Sequence, residues 1–536
     1  MDKYTEGVRV LCFYVKKVDA KVKTRIFVMN EHQLAQQPRK NMSSLLHRFR
    51  HFFEHQIKHL SVFISMLFPL SLVLLIGSEH FLFPNHENSL FKAAADLRTQ
   101  TDILSVIIGT MTTIVITIFS ITMVAIQLTS QQFSPRILRL FLLNDNKIQR
   151  FLGIFIGSIS YSLLLKITPF FFPDAPLSMA TLFIVIVSVY AIVWFLPRLI
   201  MHIADNVNVA SITQRIKTNT VTEIDALYQD FWKIGDPLTY KRLQSDKTKD
   251  RVIIRSKVES GYLDDIDYAE LSNKCHKIIA ANSDLSDLRV LQKPLVGEFI
   301  MYDTTDLLEI EMAHISDNQR IVLTKAFSDI TESVFKIRKY RSYTNDIPFG
   351  IRQLVDIAIK AISPAVNDPT TCLNCLDYMG EIIRQLAVRR FPSSETQALK
   401  TNQIFVNEIT FEEATDLAFD QIHHWGKGDP TVLKRLIQTI RNILPMVENP
   451  YHVAVLIQQV EDMNIHSILN ANCSFTNESK DSLLLELSKF EKNAVLHIQL
   501  LKQNGILDHY KNKACEAELQ ELAIKSIDFL EKKISS

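Results

Sequence analysis

The apolar residues of this chain are concentrated in one region, from about Leu60 to Ile203. Four apolar segments in that region have the length of a membrane-spanning helix, roughly 20 residues. They cover about 60–83, 103–128, 151–172 and 179–202, and the second contains no charged residue. The pattern therefore predicts a mainly α membrane protein with four transmembrane helices over 59–205. A cytoplasmic N-terminal arm, over 1–58, has the pattern of either a short hairpin or an unstructured lead.

Beyond the last apolar segment, the spacing of the hydrophobic positions changes. Helical spacing at Val209, Ile212 and Ile216 predicts a juxtamembrane helical connector over 206–250. Short β-type runs separated by turn residues predict a small β unit over 251–315, with one helix at about 268–281. The remaining residues, 316–536, predict a helical cytoplasmic domain. Its expected helices cover about 318–340, 348–362, 369–390, 411–425, 430–446, 451–465, 480–504 and 513–533.

The basic residues next to the apolar segments predict the orientation of the chain, because positive charge resists transfer across the membrane. They lie before the first segment, between the second and third, and after the fourth: Arg39, Lys40, Arg48, Arg50, Lys58, Arg136, Arg139, Lys147, Arg150, Arg198, Arg215 and Lys217. The two opposite loops hold only Lys92 and Arg98. Both termini are therefore predicted to lie in the cytoplasm.

The second apolar segment carries small and polar residues along one side of the expected helix. They recur mostly at steps of three and four: Ser105, Gly109, Thr113, Thr117, Ser120, Gln127 and Gln131. Such a stripe serves either close packing between helices or the lining of a polar path. Membrane-interface positions follow the second and fourth segments, at Pro135, Arg136, Arg139, His202 and Asp205.

The composition and the motifs exclude several classes of function. Lys and Arg number 59 against 58 Asp and Glu, so there is no bulk electrostatic support for a nucleic-acid partner. The six cysteines are scattered, and Cys372 and Cys375 make a lone Cys-x-x-Cys without two further soft ligands nearby. No recognised catalytic motif is present. We therefore predict no metal and no cofactor, and we favour a function other than catalysis.

One run of the sequence, from Arg341 to Thr370, resembles the signature of a family of bacterial predicted membrane proteins, domain of unknown function 2254. Agreement continues at 130–138, at 202–205, at 261–262 and at 294–299, so the resemblance covers roughly 60–432. In this chain Ile347 separates Asp346 from Pro348, which are usually adjacent in the family. The resemblance implies an architecture and a place in the bacterial inner membrane, and it implies no established activity.

The same run contains an unusual number of hydrogen-bonding side chains: Arg341, Asp346, Arg352, Asp356, Asn367, Asp368 and Thr370. Together they would form a charged site for an anion, a metal or a partner subunit. The alternative is structural, with Asp368 capping a helix and Arg352 pairing with Asp356 one turn later. Helix capping has local support, because Asp368 and Asp429 each precede a proline suited to the first helical position.

These patterns together predict an oligomeric channel-like or transport-related protein, with a cytoplasmic domain that assembles or gates the membrane part. Its expected partners are the lipid bilayer and further copies of the chain, because four helices rarely enclose a water-filled pore alone. Two alternatives stay open. One is a membrane-tethered enzyme with its site between Arg341 and Thr370, and the other is a non-catalytic membrane scaffold or stress sensor.

Overall fold

A computed structural model describes residues 97–132, 146–171, 179–233, 248–281, 285, 288–391, 404–471, 475–514 and 520–535. The predicted N-terminal arm over 1–58 and the predicted first membrane segment, 60–83, lie outside these residues, as do Pro135, Arg136 and Arg139. Most of the described chain is helical, and a smaller part forms β-strands.

The prediction of four transmembrane helices is wrong for the residues that the structure describes. Among them, one helical segment, Leu104–Val124, is long and apolar enough to cross a membrane. The third predicted segment contains a shorter apolar stretch, Gly153–Ile167, which at 1.5 Å per residue measures only about 22 Å. Its Tyr161 and Leu165 are buried inside the structure. Hydropathy alone does not distinguish such core residues from residues that face lipid.

The described residues form two compact units. The first contains 97–116, 146–171 and 179–195, and the second contains 117–132 and the described residues from 196 onward. Three long helices begin in the first unit: α1 is Leu97–Gln132, α2 is Asn146–Phe171 and α3 is Met179–Val207. The second unit continues with α4, Val209–Leu227, which starts directly after α3.

The β-strands of the second unit pack with three helices. The strands are β1 Asp250–Arg255, β2 Gly261–Ile266, β3 Arg289–Gln292, β4 Phe299–Ile300, β5 Asp306–Met312, β6 Phe335–Arg338 and β7 Ile404–Phe405. The helices are α5 Tyr268–Ala281, α6 Asp317–Ser328 and α7 Thr331–Val334. Within the described residues the strands make a four-stranded sheet, ordered β1-β5-β3-β7, and a three-stranded sheet, ordered β4-β2-β6. We call this part, 250–338 with β7, the β unit.

One predicted helix, over 318–340, is wrong in its second half. The chain turns after α7 and forms β6, which pairs antiparallel with β2. Phe335 is buried there against the apolar core of the β unit. Pairing with a strand 70 residues earlier is a tertiary effect, and it outweighs the local helical pattern.

The rest of the second unit is a helical assembly around one large apolar core. Its helices are α8 Ile347–Ala361, α9 Pro369–Ala387, α10 Phe411–Gly426, α11 Pro430–Ile443, α12 Pro450–Asp462, α13 Ile465–Ala471, α14 Asn477–Gln503, α15 Ile506–Ala514 and α16 Gln520–Ser535. The predicted Asp-Pro caps are confirmed, since Asp368 accepts a hydrogen bond from the Thr371 amide and Asp429 accepts one from the Thr431 amide. The middle of the core is α8, which packs against α4, α9 and α10.

Candidate functional site

A loop of eight residues, 339–346, connects β6 to α8 and lies where the β unit meets the helical assembly. We call it the junction loop. Its side chains bond to β2 and to the start of α8, and a backbone amide of the loop bonds to α4. It holds two of the sequence-predicted site residues, Arg341 and Asp346.

Arg341 and Asp346 form a two-pronged ion pair inside the junction loop. The distance from Arg341 Nε to Asp346 Oδ2 is 2.5 Å, and Arg341 Nη2 donates to Oδ1 at 2.9 Å. Asp346 is buried and also caps α8 by accepting from the Phe349 amide at 3.0 Å. Burial raises the pKa of Asp346, and its bonds to Arg341 oppose that rise. The carboxylate is therefore fully engaged, as a structural anchor requires.

Gly297 brings a turn of the β unit directly onto this ion pair. Its φ of +90° lies in the left-handed region, which side chains other than glycine rarely adopt. A Cβ there would lie 2.6 Å from Arg341 Nε and would overlap the Asp346 carboxylate. The Gly297 amide meanwhile donates to the Leu263 carbonyl of β2 at 2.8 Å. Only glycine fits this contact.

A second set of bonds ties the junction loop to β2. Ser342 Oγ donates to Asp264 Oδ1 at 2.6 Å, and Arg338 Nε lies 2.9 Å from Asp264 Oδ2. Asp264 is buried, so both bonds are shielded from water. Next to it, Asp265 accepts a hydrogen bond from Asn345 Nδ2 at 3.2 Å.

The junction loop also contacts α4, the helix that follows α3. The Asn345 amide donates to Glu223 Oε2 at 3.3 Å, and Glu223 is buried. The hydroxyl of Tyr343 donates to Gln353 on α8. Asn345 has a φ of +55°, a conformation that asparagine tolerates better than most residues. The loop thus joins the β unit, α4 and α8 in one polar network.

The structure does not bring the seven predicted polar residues together. Arg352 and Asp356 pair with each other along α8, with 3.0 Å between Nε and Oδ1. Asn367, Asp368 and Thr370 lie at the far end of that helix, about 22 Å from Asp346 at 1.5 Å per residue. Asn367 and Thr370 are exposed there. One shared site of all seven is therefore absent.

Several residues of the junction were missed in the sequence. Asp264 and Glu223 carry no motif, and Ser342 lies inside the signature run without a predicted role. Their contacts join segments up to 122 positions apart. Gly297 gave a signal, because it falls in the turn at 294–299 where the family resemblance continues. What the sequence could not show is that this turn closes on the Arg341 and Asp346 pair.

The paired cysteines of α9 lie in the apolar core. Cys372 and Cys375 are both buried, and burial raises the pKa of the Cys372 thiol to about 12. A thiol in that state is a poor nucleophile and a poor metal ligand. Among the described residues, no group of three or more His, Cys, Asp or Glu side chains is arranged to hold a metal ion.

The polar stripe of the second apolar segment lies on α1. Ser105 is half-buried, whereas four further residues are exposed on one side of the helix: Gly109, Thr113, Thr117 and Ser120. Gln127 is exposed as well, and Gln131 is the penultimate residue of α1. The opposite side carries Leu104, Met111 and Ile118, which are buried. The stripe of small and polar residues therefore lies on the exposed side of α1, among exposed apolar residues such as Val106, Ile116 and Val124.

The two other interface residues lie near the end of α3. His202 is half-buried and Asp205 is exposed, and the Asp205 carbonyl accepts from the amide of Asn208, the residue that caps α4. The two residues thus lie where α3 ends and α4 begins.

Comparison with known proteins gives the family. A family model described as a predicted membrane protein, DUF2254, matches residues 57–442. An uncharacterized protein of Mycobacterium bovis is 24% identical over 394 residues, which cover 72% of this chain and 70% of the relative. An uncharacterized protein of Mycobacterium tuberculosis has the same identity and coverage. No solved structure matches the chain. The protein belongs to the DUF2254 family of predicted membrane proteins.

Proposed function

We propose that the protein is an oligomeric, channel-like or transport-related membrane protein, in which the second unit assembles or controls the membrane part. The observation that supports this proposal most is the exposed stripe of small and hydroxyl residues on the candidate span in α1. Thr113, Thr117 and Ser120 lie exposed along a helix that otherwise has the composition of a membrane segment. A face of small and hydroxyl residues is more useful against another protein surface, or against water, than against lipid.

The local geometry of this face suits close contact. A Cβ built on Gly109 meets no atom within 4 Å, so a neighbouring helix has room to approach the backbone. Thr113 Oγ1 donates to the Gly109 carbonyl at 2.9 Å, which satisfies the hydroxyl inside the helix. Hydroxyls bonded in this way are tolerated in an apolar environment. Copies of α1 that pack along this face would build the membrane part around an axis.

The second unit supports the controlling role because it is large and because its helix α4 follows α3 closely in the chain. Its helix α4 begins one residue after α3 and contributes Ile212, Ile216 and Ile224 to the core. Movement of the membrane part would therefore displace α4 and the core that it packs against. We place the part of the second unit from α4 onward in the cytoplasm, which the basic residues that follow α3, Arg215 and Lys217, support.

Cysteine substitutions on α1 test the proposal. In a background without the native cysteines, Thr117→Cys should form disulfide-linked dimers in the membrane, whereas Ile118→Cys, on the buried side, should not. Equal cross-linking at both positions, or none at Thr117, would contradict self-association through this face. Reaction of Thr113→Cys with a small water-soluble thiol reagent would support a water path, and complete protection would argue for packing alone.

Flux separates the pore from the packed interface. If the face lines a path, Thr117→Leu should block conductance of the reconstituted protein and leave its oligomeric state unchanged. If the face only packs, the same change should weaken the oligomer. Protein that is monomeric in detergent and in vesicles, and that conducts nothing, would leave the two alternatives, a membrane-tethered enzyme and a scaffold or sensor.

A further inference from the structure

We infer that the junction loop is a mechanical relay, which couples the conformation of α4 to that of the β unit. The inference deepens the proposed function by naming a route of control, and it rests on that function only for what happens in the membrane. The coupling itself belongs to the second unit. Three contacts carry it. The first joins α4 to α8, the second joins α4 to β2 through Asn345, and the third joins α4 to the end of α9.

The first contact fixes α4 against α8 without slack. Gly350 of α8 faces Thr220 of α4 so closely that a Cβ on Gly350 would lie 2.9 Å from Thr220 Cβ and overlap Thr220 Oγ1. Thr220 is buried, and its hydroxyl donates to the Ile216 carbonyl at 2.8 Å. With the Gly350 backbone packed against the Thr220 side chain, the two helices do not shift independently, because a packed core has few alternative arrangements.

The second contact is a single residue that bridges two elements. Asn345 donates its backbone amide to Glu223 of α4 and its side-chain amide to Asp265 of β2. Its neighbours in the junction loop hold it in place, since Ser342 bonds to Asp264 and Arg341 bonds to Asp346. A displacement of α4 at Glu223 is therefore passed through Asn345 to β2.

The third contact anchors the far end of α4. Arg389, at the end of α9, pairs with Asp225, and its Nη1 donates to the Tyr228 carbonyl at 3.0 Å. Its guanidinium also lies over the Phe231 ring, 4.4 Å from the centroid. Because α4 is held here and at the Gly350 contact, a force that enters from α3 acts on the segment of α4 between them. That segment contains Glu223, which bonds to the junction loop.

Hydrogen exchange on the full-length protein in detergent tests the relay. Asn345→Gly keeps the positive φ and the backbone amide, and it removes the side-chain bond to β2. The matched control is Asn367→Gly, because Asn367 also has a positive φ, of 50°, and is exposed at the other end of α8. Asn345→Gly should speed amide exchange in both β2 and α4 by about fivefold, the effect of one lost hydrogen bond. Asn367→Gly should leave both elements unchanged.

The reciprocal change completes the test, because coupling between two sites is mutual. Glu223→Ala, on α4, should speed exchange in β2 and in β6, which pairs with it. If Asn345→Gly affects β2 alone, or if Glu223→Ala affects α4 alone, the relay is wrong. If Asn345→Gly speeds exchange evenly throughout the helical assembly, the milder Ser342→Ala decides by the same criterion.

This experiment is independent of the proposed function. Exchange is measured without flux and without reference to the number of subunits. A failed relay leaves the α1 face and its cross-linking untouched, and a failed cross-linking experiment leaves the exchange result valid.

Discussion

The substitution Gly350→Ala probes the tightest helix contact of the second unit. The new methyl group would lie 2.9 Å from Thr220 Cβ and 3.0 Å from Thr220 Cγ2, closer than carbon atoms approach in real structures. Thr220 cannot turn away easily, because it is buried and its hydroxyl is bonded to the Ile216 carbonyl. Either α4 or α8 must therefore move.

The expected cost follows from two opposing effects. Forcing an extra methyl group into a packed core destabilises a protein by about 1–3 kcal/mol. Replacing glycine by alanine inside a helix stabilises it by about 1 kcal/mol. The overlap with a Cβ atom, which the backbone holds in place, puts the first effect near its upper end. We expect Gly350→Ala to lower the free energy of unfolding by about 2 kcal/mol.

Thermal unfolding of the full-length protein, followed by circular dichroism, measures this effect. Gly428→Ala is the control, because a Cβ at Gly428 meets no atom within 4 Å. The double variant Gly350→Ala with Thr220→Gly moves the glycine to the opposite helix and should recover at least about 1 kcal/mol through coupling of the two positions. Unfolding of Gly350→Ala at the wild-type temperature would refute this steric clash. It would also be refuted if the double variant loses as much stability as the two single substitutions together.

Three further predictions follow from charged groups. Arg341→Ala should cost about 3 kcal/mol in urea unfolding, since it leaves a buried carboxylate unpaired, whereas Arg352→Ala, on a half-buried pair, should cost under about 1 kcal/mol. Burial and nearby carboxylates, Asp420 foremost, raise the pKa of Asp416 to about 6. The folded state thus holds this proton more tightly than the unfolded state, and stability falls as pH rises from about 4 to about 6. Asp416→Asn should therefore stabilise the protein at pH 7 by about 1 kcal/mol, after discounting for solvent screening, and should have no effect below pH 4. A reporter enzyme that works only outside the cytoplasm should be inactive when fused after Ser536, and activity there would overturn the proposed orientation.

Local features of the fold were predictable, and tertiary ones were not. The caps at Asp368 and Asp429 follow from side chains that act within three residues, so the sequence is sufficient to place them. The strand β6 depends on pairing between Phe335 and Ile266, which no local pattern records. The predicted number of membrane helices was wrong for a related reason. Apolar residues such as Phe155 and Leu165 count as membrane-like in a hydropathy window even when they are buried in protein.

The residues of the candidate site also divide into those that the sequence could predict and those that depend on tertiary folding. Arg341 and Asp346 are five residues apart, and the short loop between them is enough to bring them into contact. Asp368 belongs to the same run of sequence, but the rigid length of α8 keeps it away from Asp346. Asp264 and Gly297 reach the pair only through the folding of the β unit. Nearness in the sequence was thus sufficient to find Arg341 and Asp346, but not Asp264 or Gly297.

The unusual density of polar groups from Arg341 to Thr370 follows from the position of α8 at the centre of the core. Leu354, Val355 and Ala358 are fully buried, so this side of the helix packs into the apolar core. The unpaired amides at its first end lie beside buried residues, have little access to water and need partners from the protein. At the first end, Asp346 supplies the acceptor and Arg341 neutralises its charge.

The second end of α8 uses Asp368 in two ways. Its amide donates to the Ala361 carbonyl at 2.8 Å, which satisfies the last turn of α8. Its side chain then accepts from the Thr371 amide and caps α9. A buried central helix with a sharp turn to its neighbour requires these groups whatever reaction or transport the protein performs. The capping groups at the two ends of α8 are therefore explained by the folding of that helix, and the junction loop adds contacts beyond what the helix needs.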